Sequence, residues 1–529
     1  MYIAGKEDIY YIDETSEKKY RIPTATLMEN AGKNSFLWIK KNISDYRQKY
    51  YVVFCAHGNN GGDGAVLARY LASEKINFTV VLLGDVTGKS KEVARSNFLK
   101  LIELKPNIFE WDLSDEKTFS RIRECLKKCD VVIDAIFGIG FSGEIFQPFA
   151  RVVEEINKSC KTVISLDIPS GVPANGGKFN LAVKADYTLT FGFTKFGMID
   201  YPGANFAGKV EVIDIGIPEE ILNERKLARL ITDEYAKSLY KKRERDSHKG
   251  KYGHLLIIGG YGGDFKDGIK AMCGSVVLAG LAAMKVGVGL TTIAVSENVL
   301  HSVQALIPEA MTFGWGSNYS VKNIKKLIEN NLIRTVLIGN GFSKGRLQSR
   351  ILEMVLEHPI VNKIVIDADS LNIIVENRKL LDKLVLSNKD IILTPHIGEA
   401  ARLLRLHPDE VKYNKLEAVK KLVSLTNQNV ILKDSVSLIS DRSFNIFINN
   451  RGSVVLAKGG SGDILAGIVA GLFASGYDSI SSLCLGSYIL GVAGEMCESE
   501  MGEVSPLGRD ILQKIPEVIK SISKQELKQ

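Results

Sequence analysis

"YVVFCAHGNNGGDGAVLARYL", residues 51–71, runs from a β-branched and aromatic stretch through a polar, glycine-rich turn into a helical pattern. A short buried strand that passes into a helix in this way is the repeating unit of a parallel α/β sheet. The same alternation recurs through the first half in "FTVVLL", "DVVID", "TVISLD", "YTLTFG" and "KVEVID". It lapses over residues 216–253, where a proline and the cluster "KKRERDSHKGKYG" mark a connector or domain start. A second series then begins with "HLLIIGG", "LTTIAV", "TVLIGNG", "KIVIDAD", "DIILTPH" and "NVILKD". "VSLIS" and "FNIFIN" read as a hairpin, and glycine-rich apolar helices follow to about residue 496. Both halves are therefore expected to be α/β. The 529 residues exceed the ~250–300 at which a single core usually stops growing, so two domains are expected.

Composition narrows the class. Hydrophobic residues make up 45% and charged residues 24%, an ordinary globular balance. The net charge of +7, from 68 basic and 61 acidic residues, is mild for this length. Without a dense basic stripe, no nucleic-acid partner is expected. The acidic start "MYIAGKEDIYYIDE" has no apolar signal region, and the seven cysteines lack CxxC spacing. A reduced, cytoplasmic setting without a zinc site is expected. The apolar stretches 276–295 and 464–477 read as core helices, the first interrupted by Lys285 and the second too short to span a bilayer, so no membrane partner is expected.

Open parallel sheets bind ligands beyond the carboxyl ends of their strands. In the first half those ends carry "HGNNGGDG", "DAIFGIGFSGE" and "DIPSG". Asn59, Asn60, two glycines and Asp63 lead straight into a helix, a geometry suited to a pyrophosphate. The spacing is not GxGxxG, so an ordinary dinucleotide fingerprint does not follow. Asn60, Asp134 and Ser170 offer hard oxygen donors that suit an alkali or alkaline-earth cation rather than zinc. Each also has a plain structural reading, because Asn-Gly and Gly-Gly form turns and Asp134 and Ser170 can cap the next element. Their joint placement at strand ends favours the cation.

In the second half, "AKGGSGDILAG" at 457–467 sets Asp463 behind Gly459, Gly460 and Gly462 and before an apolar helical run. The glycines suggest a backbone that approaches something closely, and the helix start suits a phosphate. A carboxylate there stands where a base would deprotonate an attacking hydroxyl. The structural alternatives are a flexible turn for "GGSGD", a hydrogen-bonded loop residue for His396 and a surface-reaching side chain for Lys433.

The first half resembles the NAD(P)H-hydrate epimerase domain over roughly residues 10–220. The resemblance is carried by "LMENAG" at 27–32, "GNNGGDG" at 58–64, "VIDAIFGIG" at 132–140, "LDIPSG" at 166–171 and "TFGFTKFG" at 190–197. It implies a Rossmann-like three-layer α/β/α domain, placed at residues 1–225, with a potassium ion on Asn60, Asp134 and Ser170. It also implies contacts to the hydrated nucleotide from Asn59, Asn60, Gly61, Gly62 and Asp63. Further such contacts fall to Gly138, Ile139, Gly140, Phe141, Ser142, Gly143 and Glu144, and to Asp167. Inverting the ring carbon that bears the added hydroxyl needs a proton shuttle, for which Asp167 is the candidate acid/base and Lys195 its electrostatic helper. Ala56 stands where such domains usually have glycine, and "SGVPANGG" replaces the usual "SGVDADTG", so the loop after Ser170 is expected to close differently.

The second half resembles the ribokinase-like fold, in its NAD(P)H-hydrate dehydratase branch, over about residues 245–500. The carrying motifs are "HKGKYGHLLIIGG", "GSVVLAGLAAMKVGVGL", "IVIDADSLN", "LTPHIGEAARLL", "VILKDSVSLI" and "AKGGSGDILAGIVAGL". The implied α/β/α domain is placed at 230–529, with Asp463 as catalytic base and Gly460, Ser461 and Gly462 around the transferred phosphoryl group. Resemblance puts the adenosine phosphate against Lys433, Asp434, Ser435, Val436 and Ser437. The hydrate falls against Ser275, Gly341, His396 and Asp463. "GNGFSKG" replaces a usual "GPGLG", Asp434 replaces a glycine, and the loop "YGGDFKDGIKAMC" is longer than usual.

Together the resemblances imply a bifunctional nicotinamide-nucleotide repair enzyme. It would epimerise hydrated NADH and NADPH (NADHX and NADPHX) and dehydrate the S epimer with ADP, or ATP in its place, accompanied by Mg2+. A homo-oligomer is expected. The alternative is a kinase of a small alcohol such as a hydroxymethylpyrimidine, fused to a non-catalytic nucleotide-binding module.

Overall fold

In the computed structural model, residues 1–111, 115–159, 161–263, 271–316 and 320–523 are described. Residues 264–270 of the long loop 261–273 thus lie outside the described residues. The chain divides into two compact units, Tyr2–Ala228 and Arg229–Gln529, with Met1 grouped with the latter.

The N-terminal unit contains β1 (Tyr2–Ala4), β2 (Tyr51–Cys55), β3 (Phe78–Leu83), β4 (Asn107–Trp111), β5 (Val131–Ala135), β6 (Thr162–Leu166), β7 (Tyr187–Phe191), β8 (Thr194–Lys195) and β9 (Lys209–Ile213). Seven of these form a parallel sheet in the order β4-β3-β2-β5-β6-β7-β9. The run "YVVFC" is continuously apolar because both faces are covered. Tyr51, Val53 and Cys55 enter one core with Val66, Leu67 and Phe98, while Val52 and Phe54 enter another with Phe119, Val152 and Val153. Strand order reverses between β2 and β5, so the loops after those strands open onto the switch-point crevice. Beside the sheet, β1 pairs in parallel with β8, setting Ala4 opposite Lys195.

The C-terminal unit adds β10 (Ala228–Leu230, from Arg229 onward), β11 (His254–Ile258), β12 (Leu290–Ser296), β13 (Met311–Trp315), β14 (Thr335–Ile338), β15 (Lys363–Ile366), β16 (Asp390–Leu393), β17 (Asn429–Leu432), β18 (Ser437–Ser440) and β19 (Ile446–Asn449). The order is β13-β12-β11-β14-β15-β16-β17-β18-β19-β10, parallel from β13 to β17, with β17, β18 and β19 antiparallel. Its switch point lies between β11 and β14. Leu255, Ile257, Leu337 and Val365 share one core with the helices Cys273–Lys285 and Ser461–Ala474, the second of which is buried along most of its length.

Two edge strands, β4 and β13, escape the alternation read from the sequence. An edge strand needs apolar residues on fewer positions, and Asn107 and Glu110 break the run in β4. The region read as a connector carries β10 and the helix Asp233–Leu239. The stretch 276–295 is shared by a helix and β12. Among the described residues, one helix, Ser479–Met501, is long and apolar enough to cross a membrane by length and composition, and 78% of its apolar window is buried inside the protein.

Candidate active sites

In the N-terminal unit, Asp134 is the penultimate residue of β5 and is fully buried. Its Oδ2 accepts from Ser165 Oγ at 2.7 Å and Ser170 N at 2.9 Å; its Oδ1 accepts from Ser170 Oγ at 2.5 Å and Ile136 N at 3.3 Å. Burial pushes its pKa up, and the hydrogen bonds from Ser170 and Ser165 oppose that. Asn60, in the first turn of helix Asn59–Ser73, donates to Phe137 O at 3.0 Å, and Phe137 N donates to Ser170 Oγ at 2.8 Å. The buried Asn60 Oδ1 has no partner among the described residues. The structure thus links the three expected cation ligands through Phe137.

Asp167 follows β6 in left-handed backbone conformation (φ 64°), uncommon for a residue with a Cβ. Its Oδ1 accepts a short hydrogen bond from the buried Lys195 ammonium, which also reaches Thr190 Oγ1 and Phe191 O, both at 3.0 Å. Gly138 is wedged beside this pair: a Cβ there would lie 3.1 Å from Asn60 Cβ and 3.8 Å from Asp167 Oδ2. Gly61 is forced by close approach, since a Cβ would stand 1.8 Å from Ala56 O. Asn59, Gly140, Ser142, Gly143 and Glu144 are exposed, Ile139 and Phe141 are half-buried, and Gly62 and Asp63 are buried.

Two carboxyl groups join this crevice. Asp63 was expected; Asp13, on helix Lys6–Lys18, was not. Burial and the charge of Asp167 hold Asp63 well above the usual range, and raise Asp13 to about 6. The helix is tied over the crevice at several points. Lys6 N donates to Asn175 Oδ1 at 2.7 Å, Lys6 Nζ to Gly140 O at 3.3 Å, and Asn175 Nδ2 to Glu7 Oε2 at 2.9 Å. Asn175 belongs to the divergent "SGVPANGG" loop, so that loop serves as the anchor of the helix carrying Asp13.

In the C-terminal unit, helix Ser461–Ala474 starts two residues before Asp463, and among the described residues no side chain caps it at Gly460. Gly460 has φ 99°, a conformation that favours glycine, whereas a Cβ at Gly459 would meet nothing within 4 Å. A Cβ at Gly462 would lie 3.6 Å from Lys433 Nζ. Only Gly460 therefore requires glycine for its backbone; Gly459 and Gly462 leave open space at the helix start. Asp463 Oδ1 accepts from Asn340 Nδ2 at 2.7 Å, and Ser275 also bonds the carboxylate. Burial raises the Asp463 pKa, Asn340 lowers it, and the nearby Asp367 charge raises it again.

Asp367, Thr394 and Lys433 follow β15, β16 and β17, and their side chains meet. Asp367 Oδ1 accepts from Thr394 Oγ1 at 2.6 Å and Lys433 Nζ at 2.8 Å. Burial pulls the Lys433 ammonium down, but Asp367 and Glu399 outweigh it and leave the pKa above the ordinary value. Glu399, in contrast, is pushed up to about 7 by burial.

His396 caps helix Ile397–Leu404: its Nδ1 accepts from Gly398 N at 2.9 Å and Glu399 N at 3.4 Å. Burial and the Lys433 charge lower its pKa. Gly341 (φ 56°) lies where a Cβ would stand 2.4 Å from Met272 O. After β17, Asp434 N and Asp434 O both bond Ser437 Oγ, at 3.4 and 3.1 Å. Ser435 is exposed, and Val436 is buried with its side chain in the core, which leaves only its backbone for a ligand. Asp434 pairs with Lys415 Nζ at 2.8 Å, and that lysine, on helix Lys415–Thr426, is buried.

Asn340, Asp367, Thr394, Lys415 and Asp13 are site residues that motif reading missed. The first three are the first polar side chains after buried strands, so the strand-end rule applied throughout the second half finds them. Lys415 and Asp13 sit on helices, where nothing local distinguishes them from surface charges.

The fold defines a class by itself: two doubly wound α/β units, each presenting polar and charged side chains at its switch point, where such sheets take small-molecule ligands. Comparison with known proteins narrows the class. A family model described as YjeF-related protein N-terminus matches residues 24–197, and one described as NAD(P)H-hydrate dehydratase matches 267–517. The chain is 31% identical over 536 residues to the bifunctional NAD(P)H-hydrate repair enzyme of Moorella thermoacetica, covering 99% of this chain and 98% of that protein. It is 33% identical over 465 residues to the enzyme of the same name from Coxiella burnetii, covering 87% and 88%. A solved structure of an ADP/ATP-dependent NAD(P)H-hydrate dehydratase from Bacillus subtilis, co-crystallised with ATP/Mg2+, is 25% identical. It covers 56% of this chain and 99% of that one with a TM-score of 0.48. The chain belongs to the bifunctional NAD(P)H-hydrate repair enzyme family.

Proposed function

We propose that this chain repairs hydrated nicotinamide nucleotides. The N-terminal unit interconverts the R and S epimers of NADHX and NADPHX. The C-terminal unit dehydrates the S epimer with ADP, yielding NAD(P)H, AMP and phosphate.

The hydrated ring carbon is bonded to both a hydroxyl and the ring nitrogen. Its configuration inverts when the hydroxyl loses its proton, the carbon–nitrogen bond breaks to give an aldehyde, and the nitrogen takes a proton. The ring then recloses on the other face and both protons return. One base and one acid suffice. Asp167, beside the Lys195 ammonium, suits the base, and Asp13, raised toward neutrality, suits the acid. The expected potassium ion finds a fitting donor set, because the buried, unpartnered Asn60 Oδ1 shares one hydrogen-bonded cluster with oxygens of Asp134, Phe137 and Ser170. When bound, such a cation offsets the buried charge of Asp134 and ties together the loops after β2, β5 and β6.

A ring hydroxyl is a poor leaving group, and phosphorylation makes it a good one. Asp463 takes the hydroxyl proton as the hydroxyl oxygen bonds to the terminal phosphorus of ADP and the bond from that phosphorus to AMP breaks. The carbon–oxygen bond of the resulting ester then breaks, phosphate leaves with the electron pair, and loss of a neighbouring ring proton restores the double bond. The amides of Gly460, Ser461 and Gly462 and the Lys433 ammonium stabilise charge on the transferred group. Magnesium is expected to arrive with the nucleotide's own phosphates, the usual mode for this hard cation.

One observation carries the reading: Asp463 stands in the first turn of a helix whose Gly462 faces Lys433, at the mouth of a parallel sheet. The test is to incubate the protein with mixed NADHX epimers and ADP and follow absorbance of regenerated NADH. Asp463→Asn is expected to slow recovery on the order of 10²–10⁴-fold while epimer exchange continues. Undiminished recovery would overturn the assignment of the base.

A further inference from the structure

Resting on the dehydratase reading of Asp463, we propose that Asn340 is a positioning residue of that reaction: its amide holds the Asp463 carboxylate in the orientation from which it takes the hydroxyl proton. Asn340 lies just beyond β14 at the switch point and is fully buried. Its Nδ2 donates to two carboxylates, Asp463 Oδ1 at 2.7 Å and Asp367 Oδ2 at 3.0 Å. A side-chain amide carries two N–H groups, and both are used. Exchanging oxygen and nitrogen would aim a carbonyl at two acids, so charge fixes the orientation of the amide.

Asn340 Oδ1 is buried and has no partner among the described residues. An unpaired buried acceptor opposes stability, so the oxygen does not explain the residue and the two bonds from its nitrogen do. Asp367, in turn, cannot turn away from Asn340. Its other oxygen is held by Thr394 and Lys433. Lys433, Asp367, Asn340 and Asp463 therefore form a continuous chain from the end of β17 to the first turn of helix Ser461–Ala474. Asn340 engages Oδ1 of Asp463 and Ser275 also bonds the carboxylate, so the two contacts together set how it faces a substrate hydroxyl.

The groups that face Asp463 are Asn340 after β14, Asp367 after β15, Lys433 after β17 and Ser275 on helix Cys273–Lys285. Burial and Asp367 favour its protonated form; Asn340, Ser275 and Lys433 favour the carboxylate. Loss of the Asn340 donor moves the balance toward the acid, which cannot act as a base.

The test uses the full chain with Asn340→Ala and Asn340→Ser, the latter keeping one donor. Dehydration is measured against pH with NADHX and ADP, and epimer exchange in the same chain reports on folding. For Asn340→Ala, kcat is expected to fall about ten- to a hundredfold, with KM for both substrates nearly unchanged and the acid limb of kcat moved to higher pH. Asn340→Ser is expected to fall between Ala and the parent. A kcat loss with the acid limb unmoved and Ser no better than Ala would reduce Asn340 to a structural role and overturn the proposal. Carbon-13 NMR of labelled aspartates supplies a readout independent of turnover, with the Asp463 carboxyl identified by its absence in Asp463→Asn. Its titration midpoint is expected to rise in Asn340→Ala, and an unmoved midpoint overturns the coupling. A midpoint that rises in Asn340→Ala while the parent protein regenerates no NADH would instead count against the dehydratase reading and leave the coupling standing.

Discussion

Lys415 and Asp434 form an ion pair of 2.8 Å whose ammonium side is buried, beside the turn that follows β17. Asp434 replaces a glycine of the resembled motif and sits next to Lys433, where an uncompensated carboxylate would repel a nucleotide phosphate. The pair answers that objection, because Lys415 holds the acid by Nζ and also bonds Val436 O at 3.3 Å.

Lys415→Met is therefore expected to act twice. Stability should fall by about 3 kcal/mol, as when one partner of a buried pair is removed, and KM for ADP should rise because Asp434 is left uncompensated. Adding Asp434→Gly should recover most of both effects. Chemical denaturation and steady-state kinetics on the single and double variants check this, and a double variant no better than Lys415→Met would show the pair to be unimportant.

The glycines before Asp463 separate cleanly by geometry. At Gly460 (φ 99°) an added Cβ would meet Leu278 Cδ1 at 2.7 Å, while at Gly459 it would meet nothing within 4 Å. Gly460→Ala should cost about 1–2 kcal/mol in backbone strain and sharply reduce dehydration. Gly459→Ala should leave stability within about 0.5 kcal/mol. Thermal melts of the two variants measure the contrast directly.

Much of this architecture is legible in the sequence because strands buried on both faces leave unbroken apolar runs, as in "YVVFC" and "HLLII". Edge strands such as β4 leave no such run, and the two-residue β8 is too short for any periodicity. Asp134, Ser170 and Asp463 are readable because they lie at or just beyond strand ends or open a helix next to glycines. Asn340 stood in a quoted stretch, yet its role depends on two carboxylates brought in from residues 367 and 463. Asp13 is invisible locally: the pairing of β1 with β8, which sets Ala4 opposite Lys195, is what brings its helix to the crevice.

Asp13 gives a pH signature with a definite sign. Its folded-state pKa is raised from 3.8 to about 6, so between those values the native state keeps a proton that the unfolded chain releases. The associated stability is full below the unfolded value and is lost as pH rises through about 6. Asp13→Asn removes that loss, and should raise stability above pH 6 by about 1–2 kcal/mol, discounted from the full shift for residual solvent contact. At pH 4 it should change little. Epimer exchange should nevertheless fall about a hundredfold. Melts at the two pH values together with exchange rates test both parts, and a variant destabilised at high pH would contradict the assignment.

The unpartnered Asn60 Oδ1 makes the cation reading testable without turnover. A cation that binds the folded state alone raises stability by RT ln(1 + [L]/Kd), about 2.7 kcal/mol at a hundredfold excess over Kd. Potassium chloride should therefore raise the melting temperature of the N-terminal transition more than lithium chloride at equal ionic strength, which controls for screening. Asn60→Ala removes an acceptor that has no partner among the described residues while leaving Asp134 hydrogen-bonded by Ser165, Ser170 and Ile136. It should abolish the potassium-specific increment and lower epimer exchange, yet leave dehydration of pre-formed S epimer intact. A potassium increment that survives in Asn60→Ala would place the ion elsewhere and remove Asn60 from its ligand set.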